Sequence, residues 1–106
     1  MSDSTLRQIA ARLQLVSDVY AERNNVTRDP TWYLLKVQEE LGEVVAEYLR
    51  LHGGKAGVTE SEVTREALRD ECADLLAHVL LFAHQNDIDL DGALQRKWFK
   101  HLGARP

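Results

Sequence analysis

The sequence predicts an all-α fold, a four-helix up-down-type bundle, and three observations carry that prediction. Apolar residues recur at three- and four-residue steps over most of the chain. Breakers are confined to a few points, with prolines only at Pro30 and Pro106 and three glycines crowded into Gly53, Gly54 and Gly57. Capping residues stand where the periodic runs begin. With 106 residues the chain has room for one domain, 1–106, and none for a separate cofactor domain.

The elements follow in order. Leu6, Ile9, Leu13, Val16 and Tyr20 form one apolar stripe on a first helix, opened by Ser2, Asp3 and Ser4 and stopped at Asn24-Asn25. Asp29 before Pro30 reads as a cap with proline in the first helical position, a place where its missing N–H costs nothing. From there Leu34, Val37, Leu41, Val44, Tyr48 and Leu51 carry the second helix to Gly53. Thr59 and Glu62 make a capping box for a third helix that runs to about Gln85 and includes Val63 and Leu68. Its second half, Leu75 to Ala83, is apolar nearly all round, which predicts self-association through this helix into a homodimer or homotetramer. Asp89 caps a fourth helix through Leu90, Ala93, Leu94, Trp98 and Phe99, ending at Gly103.

Composition narrows the function classes. Seventeen acidic against thirteen basic residues give a net charge of −4, the wrong sign for a surface that neutralises phosphate backbones, so nucleic acid is excluded as a partner. No apolar run approaches the roughly 20 residues that span a bilayer, so no membrane partner is expected. A lone cysteine, Cys72, rules out an intrachain disulfide and reads as a small core residue. The polar start MSDSTLRQ lacks a basic segment followed by an apolar one, which places the protein in the cytoplasm.

Two acidic pairs carry the chemistry. Glu40 and Glu43 lie three residues apart on the second helix, and Glu71 and Asp74 three apart on the third. At 100° per residue each pair borders the apolar stripe of its helix. If those faces pack together, four carboxylates converge, and like charges ~4 Å apart repel by ~4 kcal/mol per pair at an effective dielectric of ~20. Such a patch calls for a cation, and four hard oxygen ligands select Mg²⁺ or Mn²⁺ over zinc. The plain alternative is that these acids are solvated helix surface; Lys36, one turn before Glu40, is the evident base to pair with them.

EELGE at 39–43, a 27-residue gap and ECAD at 71–74 resemble the EExxE…ExxD signature of the MazG-like all-α nucleoside triphosphate pyrophosphohydrolases. The segments LLKVQEELGEVVAEYL, ECADLLAHVLLFA and IDLDGALQRKWFKHLGARP follow in family order. The resemblance implies a helical homo-oligomer that uses Mg²⁺, with Mn²⁺ as a substitute, to cleave a canonical or damaged nucleoside triphosphate between its α and β phosphates, cleansing the nucleotide pool. It makes Glu40, Glu43, Glu71 and Asp74 the metal ligands. Glu39 is placed to act catalytically as a base, to reach a second ion, or to remain solvated. Lys97, Lys100 and Arg105 stand where related sequences place basic residues for the triphosphate, although cations near a helix end are also favoured by its dipole. Family members often carry Asn where His101 stands.

Trp32, at the start of the second helix, either stacks on a nucleobase or staples the helix entry. His78 lies one turn beyond Asp74, positioned to support a ligand or to sit hydrogen-bonded in the core. Asp87, Asp89 and Asp91 mimic the opening of an EF-hand loop, but Trp98 occupies the twelfth position, where that loop needs a bidentate Glu. Two alternatives accompany the hydrolase reading. One is a phosphoribosyl-ATP pyrophosphatase, and the other is a noncatalytic helical dimerisation module.

Overall fold

The computed structural model describes residues 5–52 and 62–103, and every regular element among them is helical. In order these are α1 (Leu6–Asn24), α2 (Pro30–Leu51), α3 (Glu62–Gln85), α4 (Leu90–Lys97) and a 3₁₀ turn at Phe99–His101. The chain divides into two compact units, Met1–Thr27 with Leu80–Pro106, and Arg28–Val79. The Ser2/Asp3/Ser4 cluster, Gly53, the Thr59 half of the expected capping box, Arg105 and the side chain of Val63 lie outside the described residues.

In the first unit the N-terminus of α1 is satisfied group by group. Its four orphan N–H groups all find acceptors. Thr5 N donates to Gln8 Oε1 at 3.4 Å, Gln8 N donates to Thr5 Oγ1 at 3.2 Å, and Leu6 N and Arg7 N each donate to an oxygen of Asp91 at 3.2 Å. The first two of these form a capping box that sequence alone did not single out. Asp91 also sets a carboxylate against the positive end of the α1 dipole. The two other acids of the EF-hand mimic are likewise occupied. Asp87 pairs with Arg7 at 3.3 Å, and Asp89 caps α4 by accepting from Gly92 N at 3.1 Å. Leu6, Ala10, Leu80, Ala83, Ile88 and Leu90 line one small cavity in this unit. Leu80, the most completely buried large side chain, contributes about 2–3 kcal/mol by leaving water. At the other end of α1, Asn25 adopts the left-handed conformation with φ 54°, which ends the helix where Asn24-Asn25 predicted.

Two expectations are corrected here. In the second half of α3 Leu80, Leu81 and Ala83 are buried and Leu76 is exposed, while among the described residues α1, with Val16 and Tyr20, and α2 carry further exposed apolar faces. The fourth helix stops at Lys97, short of Trp98 and Phe99, which the sequence placed on it; Trp98 is 66% exposed and Phe99 about half exposed. Cys72 is exposed as well, because Glu71, Leu75 and His78 hold the covered side of α3 and a residue 100° from Glu71 turns away from it.

In the second unit α2 begins as the sequence predicts, with Asp29 Oδ1 accepting from Trp32 N at 2.8 Å and Pro30 in the first position. Its rotation differs from the expected stripe. Tyr33, Glu40 and Leu51 are buried, and Lys36, Val37, Val44 and Glu47 are half-buried beside them, whereas Leu34, Leu41 and Tyr48 are exposed. The covered side is therefore turned by about 60° from the apolar stripe, toward the acids.

The Asp91 contacts make a quantitative expectation. Asp91→Ala removes the acceptor of two helix-terminal N–H groups and lowers unfolding stability by about 1–2 kcal/mol, and Asp91→Asn loses less; urea titration of the three proteins measures both.

Candidate metal centre

The turn of α2 that buries Glu40 sets its carboxylate against α3. Oxygens of Glu40, Glu71 and Asp74 all lie within 4.8 Å of one another. Glu40 is only 8% exposed, Glu71 is half-buried and Asp74 is open to solvent, so the cluster has a covered floor and an accessible mouth. Lys36 Nζ lies 3.6 Å from Glu40 and 3.1 Å from Glu39, one cation shared between two acids. Desolvation raises the Glu71 pKa above its ordinary value, and repulsion from Asp74, Glu43, Glu40 and Glu47 adds to it. Carboxylates held this close repel one another, and a cation would relieve that repulsion.

The donor set fits a hard divalent ion. It consists of carboxylate oxygens, with neither thiolate nor imidazole among the three, which disfavours zinc. Glu40, Glu71 and Asp74, with oxygens within 4.8 Å of one another, would be the residues to hold such an ion, with water completing its shell.

Of the residues the sequence singled out, Glu40, Glu71 and Asp74 come together. Glu43 is not one of the three mutually close acids; it is exposed, yet its charge bears on Glu71. Glu39 is exposed and hydrogen-bonded to Lys36. Trp32 is in the same unit and half-buried. Its ring meets Tyr33 edge-on at 5.1 Å and His78 at 6.1 Å, and Lys36 lies 5.9 Å from its centroid. Those contacts suit a residue that anchors the entry of α2. Lys97 and Lys100 belong to the first unit and are exposed, and Arg105 lies outside the described residues.

Two residues gain weight from the structure. His78 has its Nδ1 buried with no hydrogen-bond partner, and burial, with the nearby Lys36 charge, lowers its pKa against the pull of Glu40, Asp74 and Glu39. Glu47, half-buried and paired with Arg50, adds its charge to the field on Glu71. Its position four residues after Glu43 was a readable signal, because Glu40, Glu43 and Glu47 continue one helix face. No family model, curated protein or solved structure matches the chain.

The raised Glu71 pKa has a definite pH signature. The folded chain holds this proton more tightly than the unfolded chain, whose carboxyl titrates near 4.5, so the associated stability is complete below that value and is lost as pH rises through the folded-state value. Glu71→Gln, which cannot ionise, therefore raises the metal-free Tm at about pH 7 and leaves it unchanged at about pH 4; thermal unfolding in the presence of a chelator reads the difference.

Proposed function

We propose that this protein is a Mg²⁺-dependent nucleoside triphosphate pyrophosphohydrolase that cleaves its substrate to monophosphate and pyrophosphate. The observation that carries this reading is the convergence of Glu40, Glu71 and Asp74 from two helices, with Glu40 buried. The resemblance of EELGE and ECAD to the MazG-like signature supplies the reaction class.

Glu40, Glu71 and Asp74 would hold the ion, and Glu43 is assigned as a further ligand by the same motif. When bound, Mg²⁺ offsets triphosphate charge and acidifies a coordinated water. The chain's own groups do the rest. Buried Glu40 anchors the cluster, and Lys36 ties Glu40 to Glu39 so that both keep one orientation. Glu39, exposed beside the cluster, is assigned as the base that takes a proton from water as the water oxygen attacks the α-phosphorus. The bond to the bridging oxygen then breaks and pyrophosphate leaves. Lys97, Lys100 and Arg105 are assigned to the triphosphate by the resemblance alone, and Trp32 is the aromatic candidate for a base.

A noncatalytic dimerisation module is the rival reading, and the exposed apolar face of α2 favours it. Phosphoribosyl-ATP is the rival substrate, since it also loses pyrophosphate at an α,β bond.

Pyrophosphate release from canonical, deoxy and oxidised nucleoside triphosphates and from phosphoribosyl-ATP is expected to require Mg²⁺. Glu40→Gln and Asp74→Asn are each expected to lower kcat/KM by about 100-fold or more. Activity indifferent to both substitutions removes the site assignment. A nonhydrolysable analogue with Mg²⁺ at about 100 times its Kd should stabilise the protein by about 2.7 kcal/mol, whereas a noncatalytic module shows no shift. Glu39→Gln should lower kcat with KM unchanged if Glu39 is the base.

A further inference from the structure

Three acids converge in the second unit, and a cation already stands beside them. Lys36 Nζ lies 3.6 Å from Glu40 and 3.1 Å from Glu39, and the lysine side chain is only 24% exposed. Two other bases of this unit are engaged elsewhere, Arg50 with Glu47 and Arg69 with Glu62. Helix preference does not explain the Lys36–Glu40 pair, because helices favour Glu four residues before Lys and here Lys comes first. The burial of Glu40 does explain it. A carboxylate turned away from water needs an opposite charge close by, and Lys36 supplies it from one turn earlier on the same helix. The Trp32 ring, its centroid 5.9 Å from Nζ, flanks the ammonium one further turn back.

We propose that Lys36 is a built-in competitor of the divalent ion: its ammonium balances buried Glu40 when the cluster holds no metal, and its repulsion sets how tightly the cluster binds a divalent cation. The inference rests on the metal-site reading above and adds to it a residue that weakens ion binding.

The argument is one of charge. Glu40 belongs both to the Lys36 pair and to the three acids whose oxygens lie within 4.8 Å of one another. An ion held by Glu40 therefore shares a carboxylate with the ammonium, and two cations on one largely covered carboxylate repel with little screening from solvent. Removing the Lys36 charge acts on both ends of the binding equilibrium. The metal-free protein loses the partner of a covered carboxylate, and the metal-bound protein loses a like-charged neighbour of the ion. Both changes favour binding. The tie that orients Glu40 thus also opposes the ion, and the two effects differ in sign: a lysine that acted only by orienting Glu40 would weaken ion binding when neutralised.

Mn²⁺ alone is the probe, titrated into the full chain with the free ion read by electron paramagnetic resonance. Lys36→Met removes the charge and keeps most of the apolar stem beside Trp32, and it is expected to bind Mn²⁺ about tenfold or more tighter than the wild type. Lys36→Arg keeps the charge and should stay within about threefold of the wild type. In the presence of a chelator Lys36→Met should melt below the wild type, and at saturating Mn²⁺ the two Tm values should converge, which loss of a merely structural contact would not produce. If Lys36→Met does not fold without metal, Lys36→Gln, which can still donate a hydrogen bond to Glu40, carries the same expected gain in affinity. Mn²⁺ affinity equal to or below that of the wild type in the neutral variants overturns the proposal and leaves the metal site standing. Absence of Mn²⁺ binding in the wild type and every variant overturns it together with the hydrolase reading.

Discussion

A carboxylate turned into a helix contact has lost much of its water and needs compensation close by. Glu40 is in that position. Its ion pair with Lys36 is shared with Glu39, while on the other side it faces Glu71 and Asp74, which carry its own sign. The local charge count is therefore negative on both helices where they approach. The raised pKa of Glu71 is the visible consequence of desolvation and this shared repulsion. A hard cation is the simplest group that resolves the imbalance, and an accessible Asp74 leaves a route for it and for a phosphate ligand.

The same rotation of α2 explains the exposed apolar face. Burying the acidic side leaves Leu34, Leu41 and Tyr48 on the outside.

Acids elsewhere illustrate how one residue type divides by context. Asp87, Asp89 and Asp91 have the spacing of a cation loop but are consumed by Arg7, the start of α4 and the start of α1. Their partners are mostly backbone N–H groups, which satisfy a carboxylate without any ion. Glu40, Glu71 and Asp74 instead stand mid-helix, where the N–H groups are already bonded along the helix. That difference separates a structural aspartate from a candidate ligand.

The sequence by itself determined where α2 and α4 begin and where α1 ends, because capping, proline and left-handed asparagine act over three or four residues and need no distant partner. Asp29, Pro30, Asn25 and Asp89 were legible in this way, as were the acidic spacings of Glu40/Glu43 and Glu71/Asp74. Only the tertiary structure decided which way each helix turned. On α2 apolar residues cover more than one face, so periodicity allowed several rotations, and the one adopted depends on what α3 presents to it. That choice buried Glu40, left Glu43 at the margin, and set Cys72 and Leu41 facing out. Asp91 lies over eighty positions from the helix it caps, a pairing no local pattern can encode.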